Sequence, residues 1–232
     1  MIQLRMGDAR GHADHGWLRS HHSFSFADYH DPAEMGWGPL RVINEDFIAA
    51  GMGFGQHGHR DMEIITYLLA GPLWHQDSMG NGATFRRPEV QRMSAGKGVL
   101  HSELNASASE EVHLLQIWIE PDVRGIPPEY QQQVFSDADK RDRWCLIASP
   151  DGAASSLKIH QNARLFASLP SAGKSLTQAL APDRRAYLHL IRGELTLNKL
   201  KLCGGDAAKI AGETALEIVA NTDAEFLLFD LP

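Results

Sequence analysis

Apolar residues in this chain come in short runs, and turn-forming residues cut almost every run off before it reaches the length of an ordinary helix. LRVINEDFIAA and EIITYLLA both end at glycine, and few segments carry the 3.6-residue periodicity of an amphipathic helix. Short apolar or alternating runs punctuated by Gly, Pro, Asn and Asp predict a chain that is mostly β. Strands are expected over 24–27, 40–49, 62–70, 90–94, 112–120, 157–160, 164–169, 186–191, 194–197 and 225–230. Gly193, between LHLI and ELTLN, suggests a hairpin, and a second is expected from ITYLLAG through WHQDSMGNG with its turn around Gly80–Gly82.

The middle of the chain changes character. Residues 121–143 are rich in Pro, Gln and charge, which predicts a connecting segment with one short helical turn near Gln131–Gln133. With 232 residues there is room for two modest domains. The expected division is an N-terminal barrel over 1–135, a linker over 136–145 and a second barrel over 146–232.

Charge and cysteine usage narrow the partners. The 22 Lys+Arg against 29 Asp+Glu give a net charge of −7, which argues against a direct nucleic-acid binder. Cys145 and Cys203 form no CxxC pair, so a disulfide framework is not expected. MIQLRMGDAR lacks the apolar stretch of a signal peptide, and no segment is apolar enough for a membrane helix. A cytoplasmic protein without a membrane partner is the expectation.

Twelve histidines are many for this length. His12, His15, His21, His22 and His30 lie in a polar region and read as surface or structural groups. His75, His113, His160 and His189 stand singly in strand-like runs and read as satisfied structural histidines. Two clusters differ: GMGFGQHGHRDMEIITYLLAG (51–71) and SAGKGVLHSELN (94–105). Residues i and i+2 of a strand project from the same face, so His57 pairs with His59 and His101 with Glu103. Two neighbouring barrel strands bearing these pairs would aim four ligands at one interior point, where the walls exclude water.

These stretches carry a resemblance. Gly51, His57, His59, Glu63 and Gly71 are spaced like the first cupin motif, whose last interval is usually one residue shorter. Gly96, Gly98, His101 and Asn105 resemble the second, with Gly96 where proline is usual. HSFSFADYHDP (22–32), LRVINED (40–46), HQDSMGN (75–81) and the closing LLFDLP extend the likeness to the pirin family along nearly the whole chain. It is most similar to the bacterial pirin-like branch with quercetin 2,3-dioxygenase activity. The resemblance implies an all-β bicupin, two β-barrel or jelly-roll domains in tandem. It also places the carboxylate ligand at Glu103 of the second motif. Many cupins use the first-motif carboxylate, here Glu63, which is expected instead to orient a ligand imidazole.

Three imidazoles and one carboxylate suit one divalent transition metal. Open coordination positions favour Fe(II), with Ni, Cu, Co or Zn as alternatives. The resemblance then implies a metal-dependent dioxygenase, acting on a small phenolic substrate and dioxygen and opening the ring of flavonols such as quercetin. Glu103 or Glu63 is the candidate base. The competing expectation is a metal- or redox-sensing protein that modulates a protein partner. An open apolar channel to the metal would separate the two readings. The second half carries no HxH or HxE and reads as a metal-free barrel.

Overall fold

The computed structural model describes all 232 residues, which divide into two units. The first strand, β1 (Ile2–Arg5), belongs to the unit formed mainly by the second half of the chain.

The N-terminal barrel comprises Gly11–Val134 with Ile159–Gln161. Its strands are β2 (Gly11–Asp14), β3 (Leu18–His22), β4 (Leu40–Ile48), β5 (Gly53–His59), β6 (Glu63–Ala70), β7 (Pro72–Asp77), β8 (Gly82–Arg86), β9 (Glu89–Ser94), β10 (Val99–Asn105), β11 (Val112–Ile119) and β12 (Glu129–Val134). They form a seven-stranded antiparallel sheet, β12-β9-β6-β11-β4-β3-β2, and a four-stranded one, β5-β10-β7-β8. Alternation places Ile48, Leu68, Leu73, Phe85, Val112 and Leu114 in one apolar cluster, and Ile64, Met93, Ala95 and Val99 in another.

The C-terminal barrel comprises Met1–Arg10, Phe135–Lys158 and Asn162–Pro232. After helix α1 (Asp137–Lys140) come β13 (Cys145–Ser149), β14 (Leu157–Lys158), β15 (Arg164–Ser168), β16 (Ser175–Ala179), β17 (Arg185–Arg192), β18 (Glu194–Leu197), β19 (Leu200–Cys203), β20 (Ala207–Ala211), β21 (Ala215–Ala220) and β22 (Glu225–Leu231). The sheets run β1-β20-β17-β22-β15-β13-β14 and β16-β21-β18-β19. β1 enters this barrel because its residues Ile2–Arg5 pair antiparallel with Ile210–Ala207 of β20. Both cysteines are free.

Four local expectations need correction. Gln131–Gln133 is strand, not a helical turn: β12 pairs along its length with β9, and that ladder overrides glutamine's modest helix preference. The short helix lies just beyond, where Ser136 and Asp139 form a capping box. Gly193 does not close a hairpin, because β17 and β18 lie in different sheets; a side chain there would meet the Asp223 carbonyl at 2.3 Å. The turn at Gly80 does close a hairpin, but between β7 and β8, with ITYLLAG in the other sheet. Residues 24–27 hold only an isolated bridge, Phe26 to Tyr29. No helix is long and apolar enough to cross a membrane.

Candidate metal centre

β5 and β10 lie side by side, and their register sets His101 directly opposite His57. The register then slips, so that Glu103 faces Phe54 and β5 carries the extra residue of a bulge. Glycine makes the approach possible: a Cβ on Gly53 would sit 2.2 Å from the Glu103 carbonyl oxygen. The bulge also brings the Gly55 carbonyl to 2.8 Å from His57 Nδ1. A carbonyl only accepts, so the ring proton sits on Nδ1 and the Nε2 lone pair faces inward.

Three imidazoles converge there. His101 Nε2 lies 2.9 Å from His59 Nε2 and 3.0 Å from His57 Nε2. Burial, with the neighbouring imidazoles second, pushes His59 down to about 4 and His101 to about 2, so both rings are neutral at pH 7. The spacing fits a cation: nitrogens bound at about 2.1 Å and at right angles lie about 3 Å apart. The donors also match the site types that hold divalent transition metals.

Glu103 is buried one pleat further along β10. Gln116 Nε2 donates to Oε2 at 2.7 Å, and the Thr66 hydroxyl donates to Oε1 at 3.3 Å. Burial pushes its carboxyl up to about 7; the Gln116 and Thr66 bonds oppose this, and Asp46 adds to it. A bound cation would hold it ionised. The four predicted ligands, joined by His75, fall into two overlapping triads sharing His101: His57, His59 and His101, and His75, His101 and Glu103, with donor atoms in each within 4.8 Å of one another.

From the sequence His75 reads as a structural group, with nothing to link it to the cluster. Strand β7 flanks β10 on the side away from β5 and sets His75 opposite Glu103. Its Nδ1 lies 2.9 Å from Gln91 Nε2 and its Nε2 3.3 Å from Asp77 Oδ2. Both nitrogens are thus engaged while the ring packs against His101.

The structure does not bring Glu63 to this cluster. Its carboxylate accepts from the Ser94 hydroxyl at 2.7 Å. Ile64 and Thr66, on the other face of β6, face the imidazoles and Glu103. The parity counted from His59 does not survive the turn at Arg60–Met62, because β5 and β6 belong to different sheets.

A cavity of about 890 Å³ reaches the cluster, lined by His57, His59, His101 and Glu103. Trp17, Phe26, Phe54 and Trp118 form aromatic wall, and Trp118 meets His59 edge-on at 4.9 Å. Sequence reasoning missed His22, Ser20, Asn44, Asp46 and Gln116, which also line it. One signal was available: the inward face of β4 reads Leu40, Val42, Asn44, Asp46, Ile48, so two polar residues interrupt an apolar series.

Comparison with known proteins follows the same lines. Residues 3–119 match the family model described as Pirin, and residues 146–231 match the quercetinase C-terminal cupin domain. The chain is 47% identical to quercetin 2,3-dioxygenase of Escherichia coli K12 over 232 residues, covering 100% of this chain and 99% of the relative. It is 42% identical to a pirin-like protein of Caulobacter vibrioides, covering 99% of each. The crystal structure of the E. coli bacterial pirin YhhW in complex with nickel(II) superposes with a TM-score of 0.96 at 46% identity, covering 100% of this chain and 99% of that one.

Proposed function

Because the chain belongs to the pirin family and has its bicupin fold, we propose that it is a metal-dependent dioxygenase that opens the ring of flavonols such as quercetin. Curated relatives named quercetin 2,3-dioxygenase support an oxidoreductase. The observation that carries the reading is the conjunction of a three-imidazole cluster with a large, aromatic-walled cavity leading to it. A sensor needs the cluster but not the cavity. About 890 Å³ lies within the range of sites that enclose a drug-sized molecule, and the walls suit a planar phenolic ring system.

In this proposal His57, His59, His101 and Glu103 hold one divalent ion, Fe(II). When bound, the ion would supply Lewis acidity toward the substrate oxygen. The protein's part is positional. The Gly55 carbonyl fixes the tautomer of His57, and Gln116 and Thr66 hold the Glu103 carboxylate. Trp118, Phe26 and Phe54 stack on or flank the substrate rings and keep water away. One dioxygen enters the flavonol ring and carbon monoxide leaves.

The test is metal analysis of the purified protein combined with aerobic turnover of a flavonol panel and detection of carbon monoxide. Metal-dependent ring opening is expected. Metal-loaded protein that consumes no flavonol would overturn the reading.

A further inference from the structure

If Glu103 is bound to a cation, it is a poor base, so the reaction lacks a proton acceptor for the substrate hydroxyl. The cavity wall carries another buried carboxylate that the ligand set does not use. Asp46, on β4, lines the cavity and is 3% exposed. Ser20, opposite it on β3, donates its hydroxyl to Oδ1, and no protein group donates to Oδ2. Two residues back on the same face, Asn44 Oδ1 is buried without a hydrogen-bond partner. Its cross-strand neighbour Gln116 has its amide committed to Glu103. A buried acceptor left unpaired is costly, and a second hydroxyl of the ligand would relieve it.

From this geometry we infer that the β3–β4 wall seats two hydroxyls of a polyphenolic substrate: Asp46 Oδ2, on the carboxylate that Ser20 holds, accepts the proton of one, and Asn44 Oδ1 accepts a hydrogen bond from the other. The inference rests on the flavonol reading and deepens it. In the step, the substrate O–H bond breaks and an Oδ2–H bond forms. The electron pair stays on the substrate oxygen, so the cavity's net charge is unchanged while the negative charge moves onto the substrate. Burial raises Asp46 to about 6, against the Ser20 bond; Glu45 raises it further and His113 lowers it. Glu103 faces the same cavity from β10 and His22 from β3. A carboxyl in this range exchanges a proton readily near neutral pH.

The experiment uses protein loaded with redox-inert Zn(II) and quercetin as the probe. Deprotonation of the flavonol moves its absorption to longer wavelength, so the bound form is read directly as pH is varied. Wild type is expected to bind quercetin as the anion at neutral pH. Because Asp46 keeps the proton, wild type should form the bound anion without releasing a proton to a weakly buffered solution, whereas Asp46→Asn, with zinc content unchanged, should release about one proton per anion formed. Asp46→Ser gives the same readout should the asparagine variant not fold. Asn44→Ala should keep the anionic spectrum but bind roughly 3- to 10-fold more weakly. Wild type that releases as much proton as both Asp46 variants on forming the bound anion overturns the inference alone. Wild-type protein that binds no flavonol overturns the flavonol reading, and the inference with it.

Discussion

The two barrels are built on one plan and filled in opposite ways. Strands β5 to β11 of the N-terminal barrel hold the same places in their sheets as β16 to β22 of the C-terminal one. Where β10 turns His101 and Glu103 inward, β21 turns Leu216 and Ile218 inward. Gln116 on β11 and Thr66 on β6 touch Glu103, whereas Leu228 on β22 and Leu188 on β17 lie in a continuous apolar cluster. The edge position beside β9 is taken by β12, and the matching position beside β20 by β1. Inward residues therefore decide whether this frame is a site or a core. Backbone pairing is indifferent to the choice, because it satisfies the same amides and carbonyls either way.

The comparison breaks most sharply at the imidazoles. His57→Ala or His101→Ala should remove most of the bound metal, lowering affinity by more than the roughly 10–100-fold typical of an outer partner. Glu103→Gln, which replaces the proposed anionic ligand with a weak neutral one, should follow closely. The fold should persist, since the imidazoles belong to neither of that barrel's apolar clusters. Metal content per chain, with circular dichroism as control, measures this. Full metal retention in both histidine variants would sink the assignment.

Leu188→Ala tests the other half. Leu188 is fully buried in the C-terminal cluster. Its truncation should cost about 2–5 kcal/mol in a denaturant titration while metal content per chain is unchanged. A loss of metal without a loss of stability would mean that the second barrel is not merely a core.

How far the contrast was legible depended on range. Each proposed ligand pair lies within one strand, where the two-residue period alone puts His57 with His59 and His101 with Glu103. The groups that hold or face them come from distant strands: Gln116 from β11, Thr66 from β6, His75 from β7, Asp46 and Asn44 from β4. Their arrival depends on register, which no local pattern states. Glu63 shows the limit, since one turn between sheets reversed its face. Gly193 shows it again, because a turn between strands of different sheets reads like a hairpin.

A smaller effect should appear with pH in metal-free protein. Asp46 has its folded-state value raised from 3.8 to about 6. A raised carboxyl contributes stability that is complete below about pH 4 and lost as pH rises through about 6. About two pH units correspond to a loss on the order of 2–3 kcal/mol. Urea midpoints from pH 4 to 8 should fall accordingly in the wild type and more shallowly in Asp46→Asn. An identical slope in the two proteins would mean that Asp46 is not strained by burial.

The smallest change is expected at Glu63, and it sharpens the comparison because this buried carboxylate belongs to the N-terminal barrel yet not to its cavity. Burial raises its carboxyl, while the Ser94 hydroxyl, Arg92 and His160 oppose that shift. Ser94 Oγ can donate to the carbonyl oxygen of a glutamine as it does to the carboxylate, so Glu63→Gln keeps that bond. No group on the Ile64–Thr66 face of β6 loses a partner. Anaerobic Fe(II) titration of the metal-free variant should therefore give an affinity within about threefold of wild type, below the range expected for an outer partner of a metal ligand. Glu103→Gln in the same titration should be depleted. If Glu63→Gln proved the more depleted of the two, the ion would be held by the first-motif carboxylate, and the β6 face pointing away from the cavity would have to turn inward when metal binds.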